Sequence, residues 1–146
     1  MMRSIFMSCS VLIMTFSMSA VQAITRQGML ELIQQTGVTV VRRDVCGSNG
    51  NAAAHYESVN NVICISEKQY LNTRDWDQAL THEAMHMVQD CMAGLSNRKL
   101  VTLAQTTESK RDVVAYIKRR GGTWVEHIKQ YYQPYDYAIE LEAYAL

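Results

Sequence analysis

Neither sign of charge predominates in this 146-residue sequence, where 14 lysines and arginines face 14 aspartates and glutamates. A phosphate-binding surface normally carries a large basic excess, so this balance argues against nucleic acid as a partner. Proline is nearly absent, Pro134 standing alone, and there is no internal repeat, low-complexity tract or linker. Those absences exclude a repeat array and a long disordered tail. No CxxC pair occurs among the four cysteines, which argues against a zinc site built from thiolates. Beyond the opening residues no segment is apolar enough to span a bilayer.

What is present fits a globular chain. With 48% hydrophobic and 19% charged residues, the composition belongs to a chain that buries a core, and the length allows one compact domain. The opening is different in kind. Arg3 precedes a mostly apolar run from Ile5 to Ser19, and Ala20-Val21-Gln22-Ala23 follows. Compact side chains at Val21 and Ala23 suit a signal peptidase, and the run is shorter than the roughly 20 residues a membrane anchor needs. The expectation is a signal peptide over residues 1–23, cleaved after Ala23, and a single exported domain over 24–146, secreted or periplasmic.

Export sets the redox context of the remaining cysteines. An oxidising compartment favours pairing two of Cys46, Cys64 and Cys91, which leaves one thiol over. Cys46 and Cys64 flank an expected hairpin and are the favoured pair, with Cys91 able to replace either.

The pattern along the exported chain predicts an α+β fold. Thr25 to Thr36 places Met29, Leu30, Leu32 and Ile33 on one side of a helix that Gly37 stops. Val38 to Val41, His55 to Ser58 and Val62 to Ile65 read as three extended segments, with a turn at Asn60-Asn61, and predict a small antiparallel sheet. Asn72 is the expected N-cap of the best-defined helix, which carries Trp76, Leu80, Ala84, Met87, Val88 and Cys91 and ends at Gly94. Leu100 to Leu103 reads as extended. Glu108 to Arg119 reads as an amphipathic helix closed by Gly121-Gly122, its Lys118-Arg119-Arg120 run offsetting the negative carbonyl end. Thr123 to Tyr132 and Tyr135 to Leu146 supply two further C-terminal helices.

The best-defined helix carries Thr81-His82-Glu83-Ala84-Met85-His86, an HExxH motif. Positions i and i+4 share a helical face, so the two imidazoles converge on one point that can hold a metal. Zinc suits two neutral imidazole nitrogens at about 2.0–2.1 Å together with a carboxylate, and a fourth position then remains for water. Glu83 sits beside that position, where its carboxylate can take a proton from the water and return it to a leaving amine.

A third protein ligand is needed, and acids are few. Asp90 lies one turn beyond His86, carried away from the site, and is assigned a supporting or surface role. Glu140 and Glu142, in Ile139-Glu-Leu-Glu-Ala-Tyr144, remain. On a helix they point about 200° apart, so only one faces the metal. Glu140 is preferred because it shares a face with the small Ala143, which lets the two helices approach closely, whereas Glu142 lies nearer the terminus.

These residues resemble the gluzincin branch of zinc metallopeptidases, in which an HExxH helix is completed by a Glu of a later helix in an ExxA context, here Glu140-Leu-Glu-Ala143. The resemblance covers the two motifs and their order, about a tenth of the chain. It implies a zincin-like domain that hydrolyses peptide bonds of a peptide or protein substrate, with His82, His86 and Glu140 on zinc and Glu83 as general base. It also implies an extended segment along the cleft to which a substrate adds as a strand, for which Val62 to Ile65 is the candidate. One position departs from the pattern. Several of these families place Asp or Asn four residues after the ligand Glu to orient a zinc-bound His, and this chain has Tyr144, a less basic acceptor. Tyr131, Tyr132, Tyr135, Tyr137 and Tyr144 are the candidate oxyanion donors. His127 is assigned to packing or surface, and His55 is left without a role. The rival class is a secreted binding module that keeps a structural or relic metal and performs no chemistry.

Overall fold

The computed structural model describes residues 25–47, 50, 52–69, 73–94, 99–120 and 123–145. The expected signal peptide, Asn72 and Gly121-Gly122 lie outside them. Among the described residues the order is α1 (Arg26–Gln35), β1 (Thr39–Arg43), β2 (Ala54–Glu57), β3 (Val62–Ser66), α2 (Thr73–Ala93), α3 (Thr107–Arg120), α4 (Thr123–Tyr131) and α5 (Tyr137–Ala145). The fold is α+β. No helix of the described residues is long and apolar enough to cross a membrane. The chain divides into two compact units, Met1–Ala84 and Met85–Leu146, with the boundary inside α2.

In the first unit α1 begins where the sequence predicts. The Thr25 hydroxyl accepts the Gly28 N–H at 3.1 Å, satisfying a donor that the first helical turn leaves open. The helix ends at Gly37, whose φ of 82° suits a residue without Cβ and whose N–H reaches the Gln34 carbonyl at 3.0 Å.

The three strands form where they are expected, but their order corrects the expectation of an antiparallel sheet. The order is β1-β3-β2, with β1 parallel to β3 and β2 antiparallel to it. Burial explains the arrangement. Ile63, Cys64 and Ile65 are all at most 1% exposed, so this unbroken apolar run takes the centre, where both edges are paired and both faces covered. His55 is exposed and Glu57 half-buried, and their strand lies at an edge. Asn61, at φ 52°, turns the β2–β3 connection in the left-handed region that asparagine tolerates, and its side chain accepts the Tyr56 hydroxyl at 3.0 Å.

Val62 to Ile65 is hydrogen-bonded on both sides and has no edge to offer, so the segment assigned to pair with a substrate cannot do so; the edges of this sheet belong to β1 and β2.

A disulfide joins Cys46 to Cys64 across a separation of 18 residues. The favoured pair is thus formed, and a bridge between Cys46 and Ala52 closes the same loop. The expected leftover thiol is not found, because no cysteine among the described residues is free and Cys91 is itself disulfide-bonded. At the start of α2, Asp77 accepts the Arg26 guanidinium at 2.6 Å, and the same guanidinium lies 4.6 Å from the centre of the Trp76 ring. Arg26 and Trp76 thereby tie α1 to α2.

In the second unit α5 packs against both α3 and α4, and Ile128 and Ala143 are buried there. The segment at 99–106 corrects the extended reading of Leu100 to Leu103: it has no strand partner among the described residues, and its amides at Leu103 and Ala104 go to the Glu142 carboxylate instead.

Closing a loop of this length removes freedom from the unfolded chain, so the variant carrying both Cys46→Ala and Cys64→Ala loses about 3 kcal/mol of stability. Urea unfolding of the two proteins measures this, and equal midpoints would refute it.

Candidate metal centre

From His82 to Asp90 the helix α2 is buried except at Val88, which is half-buried. Five of those buried residues are polar: His82, Glu83, His86, Gln89 and Asp90. Burying that many polar side chains on one element is unfavourable unless each is satisfied, which marks the segment as one with a task beyond packing. Apolar Trp76, Leu80, Ala84 and Met87 are buried as well, so the helix is held firmly along its length.

His82 and His86 lie one turn apart on this unbroken helix, and the helix itself sets their spacing. Together with Glu140 of α5 they form a group in which one ligand atom from each residue lies within 4.8 Å of the others, all three buried. The Nε2 of His86 stands 3.4 Å from Oε1 of Glu140. Two donors at zinc-ligand distances in a tetrahedral shell stand about 3.3–3.4 Å apart, so this separation matches a pair that shares an ion. The donor set of two imidazoles and one carboxylate also suits zinc better than magnesium or calcium, which prefer oxygen.

The two remaining acids of the motifs divide their roles. Glu83 is 6% exposed, and its Oε2 accepts the backbone N–H of Tyr56 on β2 at 2.7 Å. Glu142, the alternative third ligand, is 1% exposed. It takes the Leu103 and Ala104 amides at 2.7 and 2.5 Å, and the Gln89 side-chain amide at 2.8 Å. With its oxygens so committed, Glu142 is an anchor, and it is Glu140 that belongs to the group that could hold a metal. Asp90 is buried rather than at the surface and stands outside that group.

Two contributors were not legible in the motif. Gln89 is fully buried and lies 2.8 Å from Nδ1 of His86; its place seven residues after His82, on the same helical face, was the available signal. Asp136 lies one turn before Glu140, and its carbonyl accepts the Glu140 amide at 3.0 Å. Burial raises the pKa of its carboxyl, the negative charge of Glu140 raises it further, and His86 acts in the opposite direction. A cation held by the group would add to the effect of His86.

The tyrosines are spread more widely than the sequence indicates. Tyr131 and Tyr135 are exposed, and the Tyr137 hydroxyl donates to the Lys129 carbonyl at 3.4 Å. His127 is exposed, its ring tilted 45° to that of Tyr131 with centroids 4.7 Å apart, and His55 is exposed on β2; neither joins the group.

No family model, curated protein or solved structure matches the chain.

The raised Asp136 pKa carries a sign. A carboxyl that holds its proton more tightly when folded favours the native state at low pH, and that stability is lost as pH rises through its raised folded pKa. Asp136→Asn therefore raises the melting temperature of the metal-free protein at neutral pH, and the gain shrinks towards acid pH. Thermal melts across pH measure it, and a gain independent of pH would refute it.

Proposed function

We propose that the protein is an exported zinc-dependent hydrolase, a small metallopeptidase of the gluzincin type. The observation that carries this reading is the buried convergence of His82, His86 and Glu140. Those three side chains would hold the zinc, which supplies Lewis acidity at a substrate carbonyl and acidifies water. The disulfide between Cys46 and Cys64 supports export into an oxidising compartment.

Glu83 follows His82 on the helix and is not one of the ligand group. One of its oxygens is engaged by Tyr56, which fixes the carboxylate while leaving the second oxygen to accept a proton from attacking water. The same group then returns that proton to the departing amine, so the peptide C–N bond breaks without releasing a strongly basic anion. A peptide or protein substrate is the class that this chemistry serves.

The Tyr56 contact also supports a second reading, in which Glu83 is a tie to the edge strand and the metal is structural in a binding module. Glu83→Gln separates the two. The amide oxygen still accepts the Tyr56 N–H, so the tie persists, but the base is gone. With zinc-loaded protein and a peptide library, hydrolysis by the variant falls at least about 100-fold while its zinc content stays that of the wild type. Equal cleavage by the two proteins, or no cleavage by the zinc-loaded wild type, would overturn the hydrolase reading.

A further inference from the structure

An orienting partner of His86 stands on α2 itself. Gln89 sits three residues past His86, fully buried, with its Oε1 2.8 Å from Nδ1 of the imidazole. Its Nε2 donates in the other direction, to the Ile139 carbonyl at 3.1 Å and to the Glu142 carboxylate at 2.8 Å. Both of those groups only accept, the carboxylate because it takes the Leu103 and Ala104 amides as well. The amide of Gln89 therefore has one workable orientation, its NH2 towards α5 and its oxygen towards His86. An oxygen there requires the proton of the neutral imidazole to be on Nδ1, which leaves the Nε2 lone pair directed to the side of Glu140.

We propose that Gln89 and Glu142 form a positioning relay that fixes His86 in its Nδ1–H tautomer and holds Nε2 ready as a ligand. The relay rests on reading the His82, His86 and Glu140 group as a metal site. Its polarity is set at the Leu103 and Ala104 amides, which hold Glu142 as an acceptor, and passes through one amide to the imidazole. Neither Gln89 nor Glu142 touches the ion; each acts through His86. Partners of this kind typically contribute about 10- to 100-fold in metal affinity.

Gln89→Met tests the relay with little change of volume. It removes the acceptor that faces Nδ1 of His86, while the Leu103 and Ala104 amides keep the Glu142 carboxylate. The Glu140 carboxylate, 3.4 Å from Nε2, then draws the His86 proton to that nitrogen. Glu142→Met removes one of the two acceptors that orient the Gln89 amide, the other being the Ile139 carbonyl, and weakens the same preference.

Nitrogen-15 NMR of the metal-free proteins reads the His86 tautomer, and zinc titration against a competing chelator reads affinity. Where the imidazole is neutral the wild type shows Nδ1–H; Gln89→Met shows Nε2–H and about 10- to 100-fold weaker zinc binding; Glu142→Met shows a mixture of the two tautomers. An Nε2–H wild type overturns the relay even if the variants fail to fold. An unchanged tautomer in folded Gln89→Met overturns it as well. A wild type with Nδ1–H that binds no zinc instead overturns the metal reading, and the two failures are told apart by separate signals.

Discussion

An imidazole and a carboxylate buried 3.4 Å apart, His86 on α2 and Glu140 on α5, form the contact on which the centre depends. Neither group is comfortable there without a reason. A neutral imidazole gains little from a carboxylate at that separation, and a buried carboxylate loses its hydration. A cation between them changes the balance, since it pairs the carboxylate and takes the imidazole lone pair at once. His82, supplied by the preceding turn of the same helix, adds a third donor.

Rigidity around this contact comes from a different set of interactions. Glu142 faces away from the ligand group and gathers the 99–106 segment, through two backbone amides, onto α5. The same carboxylate reaches Gln89, so the helix that carries His86 and the helix that carries Glu140 are joined beside the ligands by hydrogen bonds that need no metal. Two acids spaced by one residue on α5 thus divide the work: one joins the group that could hold a metal and the other builds the support beside it. The division follows from helical geometry, because adjacent-but-one residues point to opposite sides.

Much of this was legible in the sequence wherever the governing interaction is local. Thr25 and Gly37 bound α1 because capping and left-handed backbone are decided within a few residues. The pairing of His82 with His86 follows from helical periodicity alone, and of the two acids it is Glu140, on the face that carries Ala143, that lies with them. The order of the sheet is not legible, since strands placed by their own apolar pattern do not disclose which neighbours they take; β3 is central because it pairs on both sides, with Ile63 to Ile65 buried. Gln89 was missed for a related reason. Its role is conferred by Glu142, 53 residues away, and an isolated glutamine after an HExxH motif carries no mark of that partner. Leu100 to Leu103 looked extended because its residues favour strands, while the groups that claim its backbone belong to α5.

The hydrolase reading requires one ion shared by His82, His86 and Glu140. X-ray absorption at the zinc edge, on protein loaded to saturation and freed of excess metal, tests this most directly. About one zinc per chain is expected, with a first shell of two imidazoles and light oxygen donors, lost when either His82 or Glu140 is replaced by alanine. A shell containing sulfur, or a shell unchanged by those replacements, would contradict it.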